Sequence, residues 1–177
     1  MNPAVARART VLGLDPGSRR TGFGILRAHS GPDGILRVAS GAIRLDVDRP
    51  FAERLPQLRG EIADLIKNHH PDEAALETCY VARGVRAALV LGHVRGVLLL
   101  LCLEAGLSVY EYAPAEIKRA VTGNGGATKA QVERMLARLV LGHPDTPSED
   151  ESDALAVAYC HLSRSAGGIG AGMRIEA

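Results

Sequence analysis

The sequence predicts an α/β fold built on one mixed five-stranded sheet, and three observations lead to that prediction. Three short strand-like runs, joined by tight turns, occupy the first quarter of the chain. Helical periodicity follows and is interrupted by two more short apolar runs. The length of 177 residues is typical of one domain with a single sizeable core. A sheet with helices packed against it accounts for this order.

The strands are predicted from apolar runs that turn residues end. Residues 10–14 are closed by Asp15-Pro16-Gly17, and the runs 21–26 and 36–43 follow across turns, which indicates an antiparallel meander. Residues 74–76 form a short fourth strand ended by Glu77, and residues 107–112 alternate as a fifth.

The helices are predicted from apolar residues at helical spacing and from their start signals. One stripe covers residues 55–66, with Pro56 near its start, and a longer pattern covers residues 84–104. Pro114 suits the first position of a third helix. Thr128 and Ser148 each precede a Gln or Glu by three residues, so capping boxes open two more helices.

Composition bounds the setting of the protein. The three cysteines are widely spaced and show no pairing pattern, which favours a reducing cytoplasm. The stretch 96–103 near the middle, free of charged and strongly polar residues, is eight residues long, so no membrane span is predicted. We expect residues 1–177 to form a single domain, with an ordered core over about 10–164 and a flexible Gly-rich tail over 165–177.

Four acidic residues lie where a carboxylate is costly unless it is used. Asp15 and Glu77 each follow an apolar strand directly, and a bare carboxylate near the core costs several kcal/mol. Asp150 and Asp153 are spaced to project from one face of the last helix. Asp15 also suits an ordinary turn and Asp150 an ordinary helix start. Glu77 is the hardest of the four to explain structurally.

Acidic oxygens without a matching His and Cys set are the ligands of a hard divalent cation. A pair of such ions activates water and stabilises the attacking and leaving oxygens of a phosphodiester. If the first and fourth strands are neighbours and the last helix packs on them, the four acids converge. Metal-assisted phosphodiester hydrolysis is then the predicted reaction.

Five segments, taken together and in order, resemble the RuvC family of Holliday junction resolvases. They are Gly13-Leu14-Asp15-Pro16-Gly17-Ser18 with Thr21-Gly22-Phe23-Gly24, Pro71-Asp72-Glu73-Ala74-Ala75-Leu76-Glu77, Leu91-Gly92-His93-Val94-Arg95-Gly96, Tyr112-Ala113-Pro114 with Ile117-Lys118, and Asp150-Glu151-Ser152-Asp153-Ala154-Leu155-Ala156. The resemblance runs from about residue 10 to 162. Each segment alone is a weak signal, but five in register are a strong one.

The resemblance implies a ribonuclease H-like fold with helices on both faces, a homodimer, and symmetric nicking of four-way DNA junctions in recombination and repair. By motif position, Asp15, Glu77, Asp150 and Asp153 would hold two Mg²⁺ ions, or Mn²⁺, in each active site. The family tolerates another residue at the place of Asp150. The RuvA and RuvB branch-migration proteins are the partners that the family brings with it.

The resemblance also marks candidate DNA-binding residues. Lys118 and Lys129 match positions near the site, and we expect Lys118 to stabilise charge developing on the scissile phosphate. Tyr80 matches a position whose aromatic ring stacks on a base, and Arg83 and Arg86 could follow a phosphodiester backbone. Each of these has a structural alternative, namely a solvated lysine, a ring covering a strand end, or an exposed basic face.

Net charge agrees with this hypothesis once the acids are set apart. The formal balance is +1, from 21 basic and 20 acidic residues. Without the four proposed ligands a mildly basic surface remains, which predicts DNA binding that weakens in high salt or chelator. Two alternatives stay open: a ribonuclease H-like nuclease that acts on RNA, and a junction-binding module without catalysis.

Overall fold

The structure is a computed structural model that describes residues 8–28, 34–78, 84–166 and 172–175. Its centre is a mixed sheet of seven strands in the order β6-β3-β2-β1-β4-β5-β7. The strands are β1 (Thr10–Asp15), β2 (Arg20–Ala28), β3 (Ile35–Arg44), β4 (Glu73–Glu77), β5 (Ser108–Tyr112), β6 (Val140–Leu141) and β7 (Met173–Arg174).

Strand directions confirm the predicted mixed sheet and the meander. β1, β2 and β3 pair antiparallel in chain order, whereas β4 runs parallel to β1 and β5 runs parallel to β4. The predicted number of five strands is wrong, because β6 pairs parallel with β3 and β7 pairs antiparallel with β5. Both added strands have two residues and lie at the sheet edges.

Helices cover both faces of the sheet, as predicted. They are α1 (Phe51–His69), α2 (Val85–Glu104), α3 (Pro114–Thr122), α4 (Lys129–Leu139) and α5 (Glu149–Ala166). One apolar core joins α1 and α2 to one face, and a second joins α3, α4 and α5 to the other. Alternate residues of β1 divide between the two cores, since Leu12 and Leu14 enter the first and Val11 enters the second.

The predicted helix starts are confirmed at three places. Pro114 is the first residue of α3. The Gln131 amide donates to Thr128 Oγ1 at the start of α4, and the Glu151 amide donates to Ser148 Oγ at the start of α5. The start of α1 differs from the prediction, because this helix begins at Phe51 and contains Pro56.

Two structural features lie beyond the predicted ordered core. α5 continues to Ala166, and Met173 and Arg174 pair with Glu111 and Tyr110 of β5. Part of the predicted tail over 165–177 therefore lies in regular secondary structure. Backbone pairing at an open sheet edge needs no hydrophobic pattern, so a Gly-rich stretch can supply it.

α2 is unusually apolar on two sides. It is long and apolar enough to cross a membrane by length and composition, and 22% of its most apolar window is buried. One face packs into the core through Val94, Leu98, Leu101 and Cys102. A helix packed along a sheet in this way is part of the folded core, so its composition is weak evidence for a membrane span.

Candidate active site

Asp15 and Glu77 lie at one edge of the sheet because their strands are parallel neighbours. Leu14 and Leu76 are register partners, and Asp15 and Glu77 are the next and last residues of β1 and β4. The carboxyl ends of parallel strands end at the same edge, where ligands of open α/β sheets bind. We predicted that the four acids converge if the first and fourth strands are neighbours and the last helix packs on them. The first of these two conditions is therefore met.

Three glycines let α5 bring Asp150 and Asp153 over this edge. Gly13 and Gly24 face each other in the β1–β2 pair, and Gly22 faces Asp15. A methyl group on Gly13 or Gly22 would collide with the Ala154 or Asp150 carbonyl oxygen of α5, and one on Gly24 would lie 2.9 Å from the Leu155 Cα. The helix backbone thus lies directly on the sheet, closer than any side chain would permit.

Two of the four acids, Asp15 and Glu77, have raised pKa values. Burial raises the pKa of Asp15 to about 7, and the charges of Asp153, Glu77 and Asp150 add to that shift. Burial followed by the charge of Asp153 also raises the pKa of Glu77. The structure therefore brings together all four acids that the sequence predicted, in a site that is short of positive charge.

Two lysines supply part of the missing charge. Lys129 Nζ donates to Asp153 Oδ2 at 2.8 Å and also pairs with Glu149. Partial burial disfavours the charged ammonium, but these hydrogen bonds outweigh it and raise the pKa of Lys129. The positive charges of Lys129 and Lys118 are close enough to Glu77 to offset part of the rise in its pKa.

A cleft of about 270 Å³ lies beside the acids and is open to solvent. Both lysines line it together with two of the acids; its walls are Glu77, Pro114, Ile117, Lys118, Lys129, Val132, Asp153 and Ala156. The cleft is lined by both carboxylates and ammonium groups, and the Lys129 ammonium contacts the Asp153 carboxylate directly. This pairing suits a phosphate that must approach acidic residues, provided that cations screen them.

The donor set fits a hard divalent cation in its chemistry. It consists of carboxylate oxygens, and the pKa of Asp15 is raised by burial and then by neighbouring negative charges, which a cation would offset. Within the four described ranges, no three His, Cys, Asp or Glu side chains are yet close enough to hold one ion. The Asp153 carboxylate has a cationic partner of its own in Lys129.

The remaining candidates are placed differently. Tyr80 and Arg83 lie outside the described residues. Arg86 is exposed in the first turn of α2, and the structure gives it no contact with the four acids.

Three features of the site were not predicted. The Arg20 guanidinium lies 3.5 Å from Asp150 Oδ2, and Glu149 shares Lys129 with Asp153. The third is the close packing of α5 on the glycines. Alternate glycines in two paired strands were the available signal for that packing.

Comparisons with known proteins agree with this geometry. The family model of crossover junction endodeoxyribonuclease RuvC matches residues 11–161. The crossover junction endodeoxyribonuclease RuvC of Chlorobaculum parvum is 48% identical over 157 residues, covering 88% of this chain and 82% of the relative. That of Halorhodospira halophila is 47% identical over 153 residues, covering 85% and 88%.

Solved structures give the same result at lower identity. Thermus thermophilus RuvC in complex with Holliday junction substrate aligns with a TM-score of 0.85 and 27% identity, covering 93% of this chain and 99% of the other. The yeast mitochondrial Holliday junction resolvase Ydc2 aligns with a TM-score of 0.67 and 13% identity, covering 89% and 79%, which shows a shared fold. With a family model that spans most of its length and relatives near half identity, this chain belongs to the RuvC family of crossover junction endodeoxyribonucleases.

Proposed function

We propose that this chain is an endodeoxyribonuclease that resolves four-way DNA junctions with the help of divalent metal ions. The observation that carries the proposal is the meeting of Asp15, Glu77, Asp150 and Asp153 at the carboxyl edge of the sheet in a member of this family. The junction-bound Thermus thermophilus RuvC, which shares this fold over 93% of the chain, supports the choice of substrate.

The four acids are the residues that would hold the metal ions, Mg²⁺ or Mn²⁺. Such ions supply an activated water and stabilise charge on the attacking and leaving oxygens of the phosphodiester. The raised pKa of Asp15 supports this role, because a carboxyl with these neighbours gains most from a nearby cation. Asp153 would exchange its contact with Lys129 for such an ion.

The two lysines would divide the handling of the phosphate. Lys118 lines the same cleft as Glu77 and has no ion pair in the described residues, so its ammonium is available to the scissile phosphate. Lys129 is held by Asp153 and Glu149, so it fixes the N-terminal end of α5 until DNA phosphates compete for its ammonium group. Tyr80, Arg83 and Arg86 remain proposed DNA contacts.

A homodimer is the proposed assembly, formed through α2. The helix exposes Val85, Leu89, Leu100 and Leu103 on the side away from the core. Gly92 and Gly96 leave open space around their Cα atoms, which permits a second helix to approach closely. Two active sites held in one dimer could nick opposed strands symmetrically. We place this activity in the cytoplasm, with the RuvA and RuvB branch-migration proteins as partners.

Cleavage of a mobile four-way junction tests the proposed function. Wild-type protein with Mg²⁺ should give paired nicks at symmetric positions, and chelator should abolish them. Asp15→Asn should bind the junction and fail to cut it. The same junction with one RNA strand, and an RNA–DNA duplex, test the alternative of an RNA-directed nuclease.

The outcomes separate the three candidate functions. Preferential cutting of the RNA-containing substrates would replace the proposal with the RNA-directed nuclease. Junction binding without metal-dependent cutting would indicate a non-catalytic binding module.

A further inference from the structure

Arg95 links helix α2 to the end of the strand that carries Glu77. Its Nη1 donates to the Glu77 backbone oxygen at 3.2 Å, and its Nη2 pairs with the Glu111 carboxylate of β5. The exposed fractions of the Arg95 and Glu111 side chains are 19% and 9%, so the pair is largely removed from water. One guanidinium thus joins α2, β4 and β5 at the carboxyl edge.

This contact reaches Glu77 from the face of the sheet opposite the active site. Ala74 and Leu76 of β4 enter the core under α1 and α2, whereas Ala75 enters the core under α5. By alternation the Glu77 side chain points towards α5, with the other acids. Arg95 therefore contacts the backbone of Glu77, and the charges that shift the pKa of Glu77 come from Asp153, Lys129 and Lys118.

Glu77 needs such a contact because it lies at the end of its strand. It pairs with Tyr112 of β5, but its pairing with β1 stops one residue earlier, at Leu76. The following Thr78 amide donates to the Tyr112 carbonyl at 2.9 Å, which fixes the β5 side. Arg95 supplies a further fixed donor to the Glu77 carbonyl itself.

The Arg95–Glu111 ion pair is not well explained by a contribution to folding stability alone. Removing two charges from water costs several kcal/mol per ion, and apolar pairs of similar volume are often as stable or more so. A guanidinium nevertheless has fixed, planar donors that can hold two acceptors at once. A small displacement of a metal-ligating carboxylate lowers metal affinity and the rate of catalysis. A guanidinium that holds two acceptors at once can therefore serve function by keeping Glu77 in place.

We propose that Arg95, held by Glu111, is a positioning residue that fixes Glu77 for metal binding; this inference rests on the proposed function. It touches neither the phosphate nor the metal ions. Its effect is on the concentration of divalent cation that the site requires.

The test removes both charges together, because Glu111 left alone would be a buried unpaired charge. Arg95→Met with Glu111→Leu should keep the fold and bind the junction in chelator as tightly as wild type. It should need at least about tenfold more Mn²⁺ for half-saturation in calorimetry without DNA, and a similar increase in Mg²⁺ for half-maximal cleavage. Arg164→Met with Glu116→Gln removes another partly buried pair, joined at 2.7 Å, and should change neither value.

Arg95→Lys, measured in parallel, keeps the positive charge beside Glu111 but lacks the second planar donor group that contacts the Glu77 backbone oxygen. It should show the same loss of metal affinity near wild-type stability, which covers the case in which the double variant does not fold. Metal midpoints within twofold of wild type in the folded variants would overturn the inference. A wild-type protein that fails to cut the junction would instead refute the proposed function.

Discussion

At the scale of single residues, Asp15 is the acid through which the active site most lowers the stability of the metal-free protein. Its side chain is partly buried at the end of β1 beside three other acids, and its pKa rises from 3.8 to about 7. A carboxyl whose pKa is higher in the folded than in the unfolded protein binds its proton more tightly when folded. Stability in the absence of metal therefore falls as pH rises from about 4, and the full cost is present above pH 7.

Asp15→Asn should therefore raise the stability of the metal-free protein at pH 8 while abolishing cleavage. The pKa shift sets a ceiling of about 4 kcal/mol, and we expect a melting temperature roughly 3 to 8 °C above wild type in chelator. The difference should shrink as pH falls from 8 to 5, and divalent metal should favour wild type again, because the wild-type site binds it more tightly.

Thermal unfolding followed by circular dichroism across this pH range is the measurement. Asp64→Asn, on an exposed position of α1, is the matched control and should leave the melting temperature unchanged. A melting temperature for Asp15→Asn at or below wild type in chelator at pH 8 would contradict the argument.

At the scale of elements, the packing of α5 on β1 and β2 assembles the site. Gly22→Ala would drive a methyl group into the Asp150 carbonyl oxygen, which is backbone and cannot rotate away. We expect a loss of about 1 to 3 kcal/mol in the free energy of unfolding by urea. Cleavage by the protein that remains folded should also fall, because Asp150 and Asp153 move with the helix.

Gly60→Ala on α1 is the matched control for this substitution. A Cβ there meets open space, and alanine favours a helix over glycine by up to about 1 kcal/mol. Its stability should equal or exceed that of wild type. Wild-type stability and cleavage in Gly22→Ala would show that α5 can shift without harm to the site.

Most elements were predictable because their signals are local. Short apolar or alternating runs predicted five strands, and the Thr128 and Ser148 capping boxes located two helix starts. β6 and β7 were missed because two-residue pairings depend on where the chain returns, which no hydrophobic period records. The pairing of Met173 and Arg174 within the predicted tail was missed for the same reason.

Asp15 and Glu77 were predictable from their positions after apolar runs, because a parallel β1–β4 pair brings both strand ends to one edge. The contacts of Lys129 with Asp153 and of Arg20 with Asp150 were not, since they join residues far apart in the chain. The role of the glycines required knowing that Gly13 and Gly24 are register partners. These contacts and the role of the glycines depend on strand register and on tertiary packing, which the spacing of residues in the sequence does not reveal.

At the scale of the whole molecule, an exposed apolar face on α2 is the surface that supports the proposed homodimer. The exposed fraction of Leu89 is 60%, and this residue lies in a row with other exposed apolar side chains of the same helix. Leaving such a surface in water is unfavourable, and it is typical of protein interfaces. Since the inner face of α2 already packs on the sheet, a second copy of the chain can cover the outer face.

Leu89→Glu should therefore convert a dimer into a monomer, measured by light scattering after size exclusion. On a plasmid that extrudes a cruciform, paired nicks by a dimer yield linear DNA, whereas single nicks yield open circles. The variant should shift the products from linear to open-circular DNA, because its two active sites no longer act on one junction. Val47→Glu, at a side chain exposed to 52% outside α2, should stay dimeric and yield linear DNA. A monomeric wild type, or a Leu89→Glu dimer that still linearises the plasmid, would place the interface elsewhere.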